Sequence, residues 1–124
     1  MREIVKGRIA IMAMNTGDVG EEEAMLNARS LGYKKVKGYY KGKEEDSYVI
    51  RIDGFKDYMS VFELADKYNQ ESVLVSDNDR QSRLYFSDGT TTEIGVLQSV
   101  SKEEALEHDG YTYDGSTDIY WITK

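Results

Sequence analysis

Cysteine and proline are absent from the chain, and histidine occurs once, as His108. Without thiols there can be no disulfide, no thiolate metal centre and no cysteine nucleophile. A single imidazole excludes a two-histidine metal site and a paired-histidine proton relay within one chain, and any Ser/His/Asp system would have to use it. Its place at the end of a short helix suits a surface residue facing the negative end of the helix dipole. Long apolar runs are missing too. The N-terminal run Ile9 to Met14 is six residues, below the ~7–15 of a signal sequence and the ~18 of a membrane span. Asn15, Asn27, Asn69 and Asn78 are followed two positions on by Gly, Arg, Glu and Arg, so no glycosylation sequon occurs. A cytoplasmic protein without membrane contact is the expectation.

What is present suits one compact domain spanning residues 1–124: 40% of the chain is hydrophobic and 31% charged. The net charge is -7, unevenly divided. Residues 1–43 carry 9 bases against 5 acids, and residues 44–124 carry 7 bases against 18 acids. Such a chain does not attract nucleic acid by bulk charge, and direct nucleic-acid binding is not expected.

Periodicity gives a coarse layout. Residues 2–14 read as a strand ending in the turn Asn15-Thr16-Gly17-Asp18. Asp18 and Glu21 form a capping box for a helix with the apolar stripe Met25, Ala28 and Leu31, stopped by Gly32. Tyr33–Tyr40 and Ser47–Ile52 read as strands joined by a polar turn, Lys41–Asp46. Asp57 caps a second helix carrying Tyr58, Val61, Phe62, Ala65 and Tyr68 at helical spacing. Residues 71–76 form a fourth strand. This β-α-β-β-α-β order is the ferredoxin-like signature, so the expected fold class is α+β: a ferredoxin-like sheet with helices on one face. A hairpin (Arg83–Phe86, Thr91–Leu97), a short helix capped by Ser101 and Glu104, and a last strand, Ile119–Thr123, extend it.

Three groups of residues carry chemistry. Lys35, Lys37, Tyr39 and Lys41 interleave bases with an aromatic on one strand face, an anion-binding arrangement; an edge strand protected by lysines has the same pattern. Gly38–Lys43 lacks the spacing and the Ser/Thr of a phosphate loop. Asp77-Asn78-Asp79 lacks the glycine and glutamate of a calcium loop, and no metal ligand set or cofactor site is assigned. The acidic tail offers Glu103, Glu104, Asp109, Tyr111 and Tyr113 as a protein-recognition surface, with tyrosine anchors and steering carboxylates. Finally, the end of strand one and the start of strand three are neighbours in a ferredoxin-like sheet. That gathers Asn15, Glu45 and Ser47, reached by Asn27, Gln70 and Ser72, into a polar cluster able to bind a small ligand or to satisfy backbone groups at element ends.

Four phrases resemble a family of short proteins encoded by phages and by some bacterial genomes: the Asn15 turn after an apolar strand, Leu31-Gly-Tyr33, Gly42-Lys-Glu-Glu-Asp-Ser-Tyr-Val-Ile50, and Ala65-Asp-Lys-Tyr-Asn-Gln-Glu-Ser-Val-Leu74. The likeness covers residues 9–97; Thr16 stands where related sequences carry proline. It implies no particular reaction, and points to an accessory role in which a small acidic protein binds and redirects a host component. The reading that follows is a non-enzymatic binding protein whose partner is a host protein, such as a defence or nucleic-acid enzyme, with no catalytic residue. A homodimer through an exposed edge strand is compatible with it. Two alternatives stand beside it: a small-ligand or nucleotide-binding module, and a metal-dependent nuclease or hydrolase using acids such as Asp53, Asp77 or Glu93.

Overall fold

In a computed structural model that describes residues 5–124, the order of elements is β1 (Ile9–Ala13), α1 (Val19–Ala28), β2 (Tyr33–Tyr40), β3 (Lys43–Arg51), α2 (Phe55–Lys67), β4 (Ser72–Ser76), β5 (Gln81–Phe86), β6 (Thr91–Val100), α3 (Lys102–Leu106), β7 (Gly110–Asp114) and β8 (Ile119–Thr123). Every neighbouring pair is antiparallel, in the spatial order β1-β3-β2-β7-β8-β6-β5-β4. The ring closes where β4 returns to β1, with Ile9 opposite Ser76 and Ile11 opposite Leu74. The fold is therefore a closed eight-stranded barrel with three short helices, which corrects the ferredoxin-like expectation. The physical reason lies at β2 and β4, which would be the edges of an open sheet. Lys37–Tyr40 of β2 pair with Gly110–Tyr113 of β7, and β4 pairs along its length with β5. Closure leaves no unpaired edge, the general liability of open sheets.

Strand alternation explains the two cores. Tyr48 and Ile50 of β3 face outward with Ala10, Met12, Val73 and Val75, beneath Leu26 of α1 and Val61, Leu64 and Ala65 of α2. Val49 faces inward with Ile9, Val36, Leu97 and Trp121. Burial of each such side chain contributes on the order of 1.5–3 kcal/mol. Since β1 and the Tyr48–Ile50 part of β3 are covered on both faces, these stretches read as continuous apolar runs rather than alternating ones.

Local chemistry sets the element ends. Asp18 caps α1 by accepting from the Glu21 backbone N–H at 3.1 Å. The helix stops at Ser30, with φ 57, where Leu31 N–H reaches back to the Leu26 carbonyl; Gly32 is not the stop. The buried side of α1 is Leu26 and Glu22; of the expected Met25, Ala28 and Leu31 stripe, Leu31 is buried just past the helix and Met25 is half-buried against the same core, while Ala28 is exposed. Gly54 rather than Asp57 precedes α2, and Asp57 accepts instead from the Asp53 N–H at 2.8 Å. The expected first strand began at residue 2; residues 2–4 lie outside the described residues, and the strand itself starts at Ile9.

The β2–β3 connection decides where the site lies. Lys41 (φ 49) and Gly42 (φ 80) make a two-residue turn with both centres left-handed, the geometry favoured in hairpins. Hence β3 begins at Lys43, and Glu44, Glu45 and Asp46 stand on a strand opposite Tyr39, Gly38 and Lys37 instead of in a loop.

Candidate active site

Past the end of β1, Asn15 (φ 58) and Gly17 (φ 81) turn the chain back into α1. Beside that turn lies a pocket of about 340 Å³ bounded by Asn15, Gly17, Asp18, Val19 and Glu22 on one side and Glu44, Glu45 and Asp46 of β3 on the other. Its size is at the lower end of small-ligand sites. Five carboxylates line it. Two lysines answer them from β2: Lys37 sits 2.6 Å from Asp46 and 3.3 Å from Glu44, and Lys35 is 3.6 Å from Asp46. The Lys37 hydrogen bond, chiefly, holds the Asp46 carboxyl below its ordinary range. Glu45 is exposed and has no hydrogen-bond or ion-pair partner among the described residues. The pocket therefore keeps an excess of negative charge, and it suits a cationic ligand.

Two tyrosine systems border the carboxylates. Tyr39, opposite Glu44 across the strands, stacks on Tyr111 with ring centres 4.6 Å apart and planes 15° from parallel. Burial, and then the charge and hydrogen bond of Glu44, raise the Tyr39 hydroxyl above its usual pKa. Tyr48 is fully buried and donates to Glu22 Oε1 at 2.8 Å. Glu22 Oε2 accepts from the Thr16 backbone N–H at 2.9 Å and from its hydroxyl at 2.8 Å.

The residues expected from the sequence to form sites are distributed as follows. Asn15 and Glu45 line the same pocket. Ser47 is buried one residue beyond it, on the inward face opposite Val36. Gln70 donates to the Tyr68 carbonyl at 3.2 Å, Ser72 starts β4 opposite Phe86, and Asn27 is exposed on α1, so none of the three joins the cluster. In the lysine strip, Lys35 and Lys37 are engaged by acids of β3, and Lys41 belongs to the turn with its ammonium 5.3 Å over the Tyr40 ring. The acidic tail divides. Glu104 pairs with Lys124 at 3.0 Å, Glu103 and Asp109 are exposed, and Tyr111 and Tyr113 belong to β7. Tyr113 donates to Asp118 at 2.8 Å.

Asp53, Asp77 and Glu93 pair separately with Arg51, Arg8 and Arg83, and among the described residues no three His, Asp or Glu side chains converge as a metal site would require. A second, apolar hollow of about 380 Å³ on α2, between Phe55, Met59, Phe62 and Tyr85, offers fewer polar groups.

Sequence reasoning missed Glu22, Thr16, Tyr48 and the strand placement of Glu44. Glu22 reads as one of three acids in a first helical turn. Its spacing of four from Leu26 was the available signal that it shares the buried face.

No curated protein matches the chain. The model of the S-Adenosylmethionine lyase family matches residues 13–124. This overturns the expectation of a non-enzymatic accessory protein that acts by binding a host component, and neither the ligand sponge nor the metal-dependent nuclease accounts for the match better. Helices do not cross a membrane here, since none among the described residues is long and apolar enough to do so. An acid-rich pocket beside a tyrosine stack, set in a closed antiparallel barrel, is thus found in a chain that belongs to the S-adenosylmethionine lyase family.

Proposed function

We propose that this protein is an enzyme that cleaves a carbon–sulfur bond of S-adenosylmethionine in the pocket between the Asn15–Asp18 turn and β3. The observation that carries this reading is the unpaired, exposed Glu45 carboxylate among pocket acids that outnumber the nearby lysines, in a chain of this family. The substrate carries a sulfonium and an ammonium, and both charges gain from carboxylates in a partly desolvated cleft. Its adenine needs an aromatic face, which the Tyr39–Tyr111 stack supplies beside Glu44.

A lyase consumes no water. When the C–S bond breaks, its electron pair stays on sulfur, and the sulfonium leaves as a neutral thioether. The pair that replaces it at carbon comes either from the substrate's own carboxylate or from a neighbouring C–H bond whose proton a base accepts. In both courses the reacting ends must be held close while water is kept away. Glu45 is the pocket group free to accept a proton or to orient the substrate ammonium. Glu44 and Asp46 are held by lysines and shape the wall.

The cytoplasm is the proposed location, where S-adenosylmethionine is made and used. The resemblance to short phage-encoded and bacterial proteins supports a role in depleting that metabolite. The test is to incubate purified protein with S-adenosylmethionine in H2(18)O and separate the products. Loss of substrate, a neutral thioether nucleoside and no label on the carbon that held sulfur support the reading; label in a carboxyl records only the later opening of a lactone. Unchanged substrate over hours at micromolar protein, or label in a hydroxyl on the carbon that held sulfur, refutes it.

A further inference from the structure

Glu22 is 2% exposed, yet no lysine or arginine among the described residues forms an ion pair with it. Its three hydrogen bonds, from the Tyr48 hydroxyl, the Thr16 N–H and the Thr16 hydroxyl, all run from neutral donors to the carboxylate. That is an acceptor-only arrangement, which suits the anion and satisfies its lone pairs without neutralising it. An uncompensated buried charge is otherwise rare, since removing a carboxylate from water is costly unless something opposite meets it. The fold goes to some length to hold this one. Asn15 and Gly17 take left-handed backbone so that Thr16 can face Glu22 with both its donors. Tyr48 is wholly buried, and burial followed by the Glu22 bond raises its pKa far enough to keep the phenol a donor at any working pH. Glu22 also lines the acid pocket, behind the exposed carboxylates.

Resting on the reading above, we propose that Glu22 is the specificity-determining carboxylate of the site, whose buried and unneutralised charge makes the pocket select an onium centre over the corresponding neutral sulfur. The exposed acids, Glu44 and Glu45, share their field with water and with lysines, so they discriminate charge less sharply than a desolvated one. The consequence is directional. The cationic substrate is held, and the neutral thioether formed on cleavage loses its counter-charge and is released.

Two ligands of nearly equal shape isolate this term: sinefungin, whose primary ammonium replaces the methylsulfonium and cannot be cleaved, and S-adenosylhomocysteine, whose sulfur is neutral. Calorimetric Kd values would be measured for both on the wild type, on Glu22→Gln and on Glu22→Asp, with folding of each variant checked by thermal melting. The wild type is expected to prefer the cation at least tenfold. Glu22→Gln narrows the preference to threefold or less, and Glu22→Asp, which retains the charge, keeps most of it. A wild-type preference below twofold overturns the proposal whatever the variants do. A full preference retained in folded Glu22→Gln overturns it as well, while substrate cleavage by the wild type would leave the lyase reading intact. Failure of the wild type both to bind sinefungin and to cleave substrate removes the lyase reading and this inference together.

Discussion

Replacing Gly95 with alanine tests how the barrel is sealed at its last seam. Gly95 lies on β6 with φ 96, and an added Cβ would stand 2.6 Å from the Lys124 backbone carbon and 2.7 Å from its oxygen. Holding an L-residue in left-handed backbone costs about 1–2 kcal/mol. The clash cannot be relieved by a rotamer change, because the opposing atoms are main chain. Lys124 must move, which gives up its paired bonds with Val96, N–H to carbonyl at 3.0 and 3.1 Å. Two such bonds are worth about 1 kcal/mol each. The expected loss for Gly95→Ala is therefore about 3–4 kcal/mol, or roughly 10–15 °C in Tm for a chain this size. The assay is urea unfolding followed by circular dichroism on four proteins: the wild type, Gly95→Ala, a chain lacking Lys124, and the combination. Removing Lys124 costs about 2 kcal/mol on the same bonds, but in that background Gly95→Ala should cost only the backbone share of about 1–2 kcal/mol. The two changes are thus markedly non-additive, as expected for groups in contact. A Gly95→Ala protein within 0.5 kcal/mol of wild type, or strict additivity across the set, refutes the reasoning.

Four further outcomes are expected. Glu45→Gln should lower kcat/KM for S-adenosylmethionine by about 10²–10⁴ if the carboxylate accepts a proton in the reaction, with Tm nearly unchanged because the residue is exposed and unpaired; steady-state kinetics alongside melting checks both. Tyr39→Ala should raise KM by roughly 5- to 150-fold, corresponding to the ~1–3 kcal/mol of base stacking, whereas Tyr39→Phe keeps the stack on Tyr111 and stays near wild type. Burial pushes the Asp114 carboxyl up, but the hydrogen bonds from Lys34 and Ser116 outweigh it, so its pKa lies below the ordinary value. A depressed folded pKa supplies stability that is fully present above the unfolded pKa of about 4 and is lost as pH falls through the folded value. Urea midpoints of the wild type should accordingly fall below pH 4 more steeply than those of Asp114→Asn. Lys34→Met should cost about 3–5 kcal/mol at pH 7 by leaving a buried carboxylate without its counter-charge.

The parts of the structure written in short range were readable before the coordinates. The Asp18–Glu21 cap, the Ser101–Glu104 cap and the apolar face of α2 each depend on residues within a few positions of one another. The barrel was not readable, because closure depends on β7 meeting β2 across some seventy residues of chain. The β7 segment Gly-Tyr-Thr-Tyr-Asp reads in sequence as part of an acidic recognition surface, although Tyr111 and Tyr113 alternate with Thr112, which faces buried Trp121, and with buried Asp114. The charged run 43–46 likewise reads as part of a turn, since lysines and acids are poor strand formers on average. Here they pair across strands, Lys37 with Glu44 and Asp46, and the pairing makes a strand of them. Of the small polar cluster read from the sequence, Asn15 and Glu45 share the pocket and the rest do not. Glu22 is marked only by its spacing of four from Leu26, a weak signal in a run of three glutamates whose other two members are exposed and half-exposed.

The ring of strands also says something about handling the protein. A chain cut just before Ile119 would lose β8, baring the hydrogen-bonding flanks of β6 and β7 at the same moment and uncovering Trp121's neighbours in the lumen. Such a fragment would present two sticky borders rather than one. Tags and fusions are consequently better tolerated where they lengthen the C-terminus than where they replace it, and proteolysis in the 115–118 turn should precipitate material that the intact circle keeps dispersed.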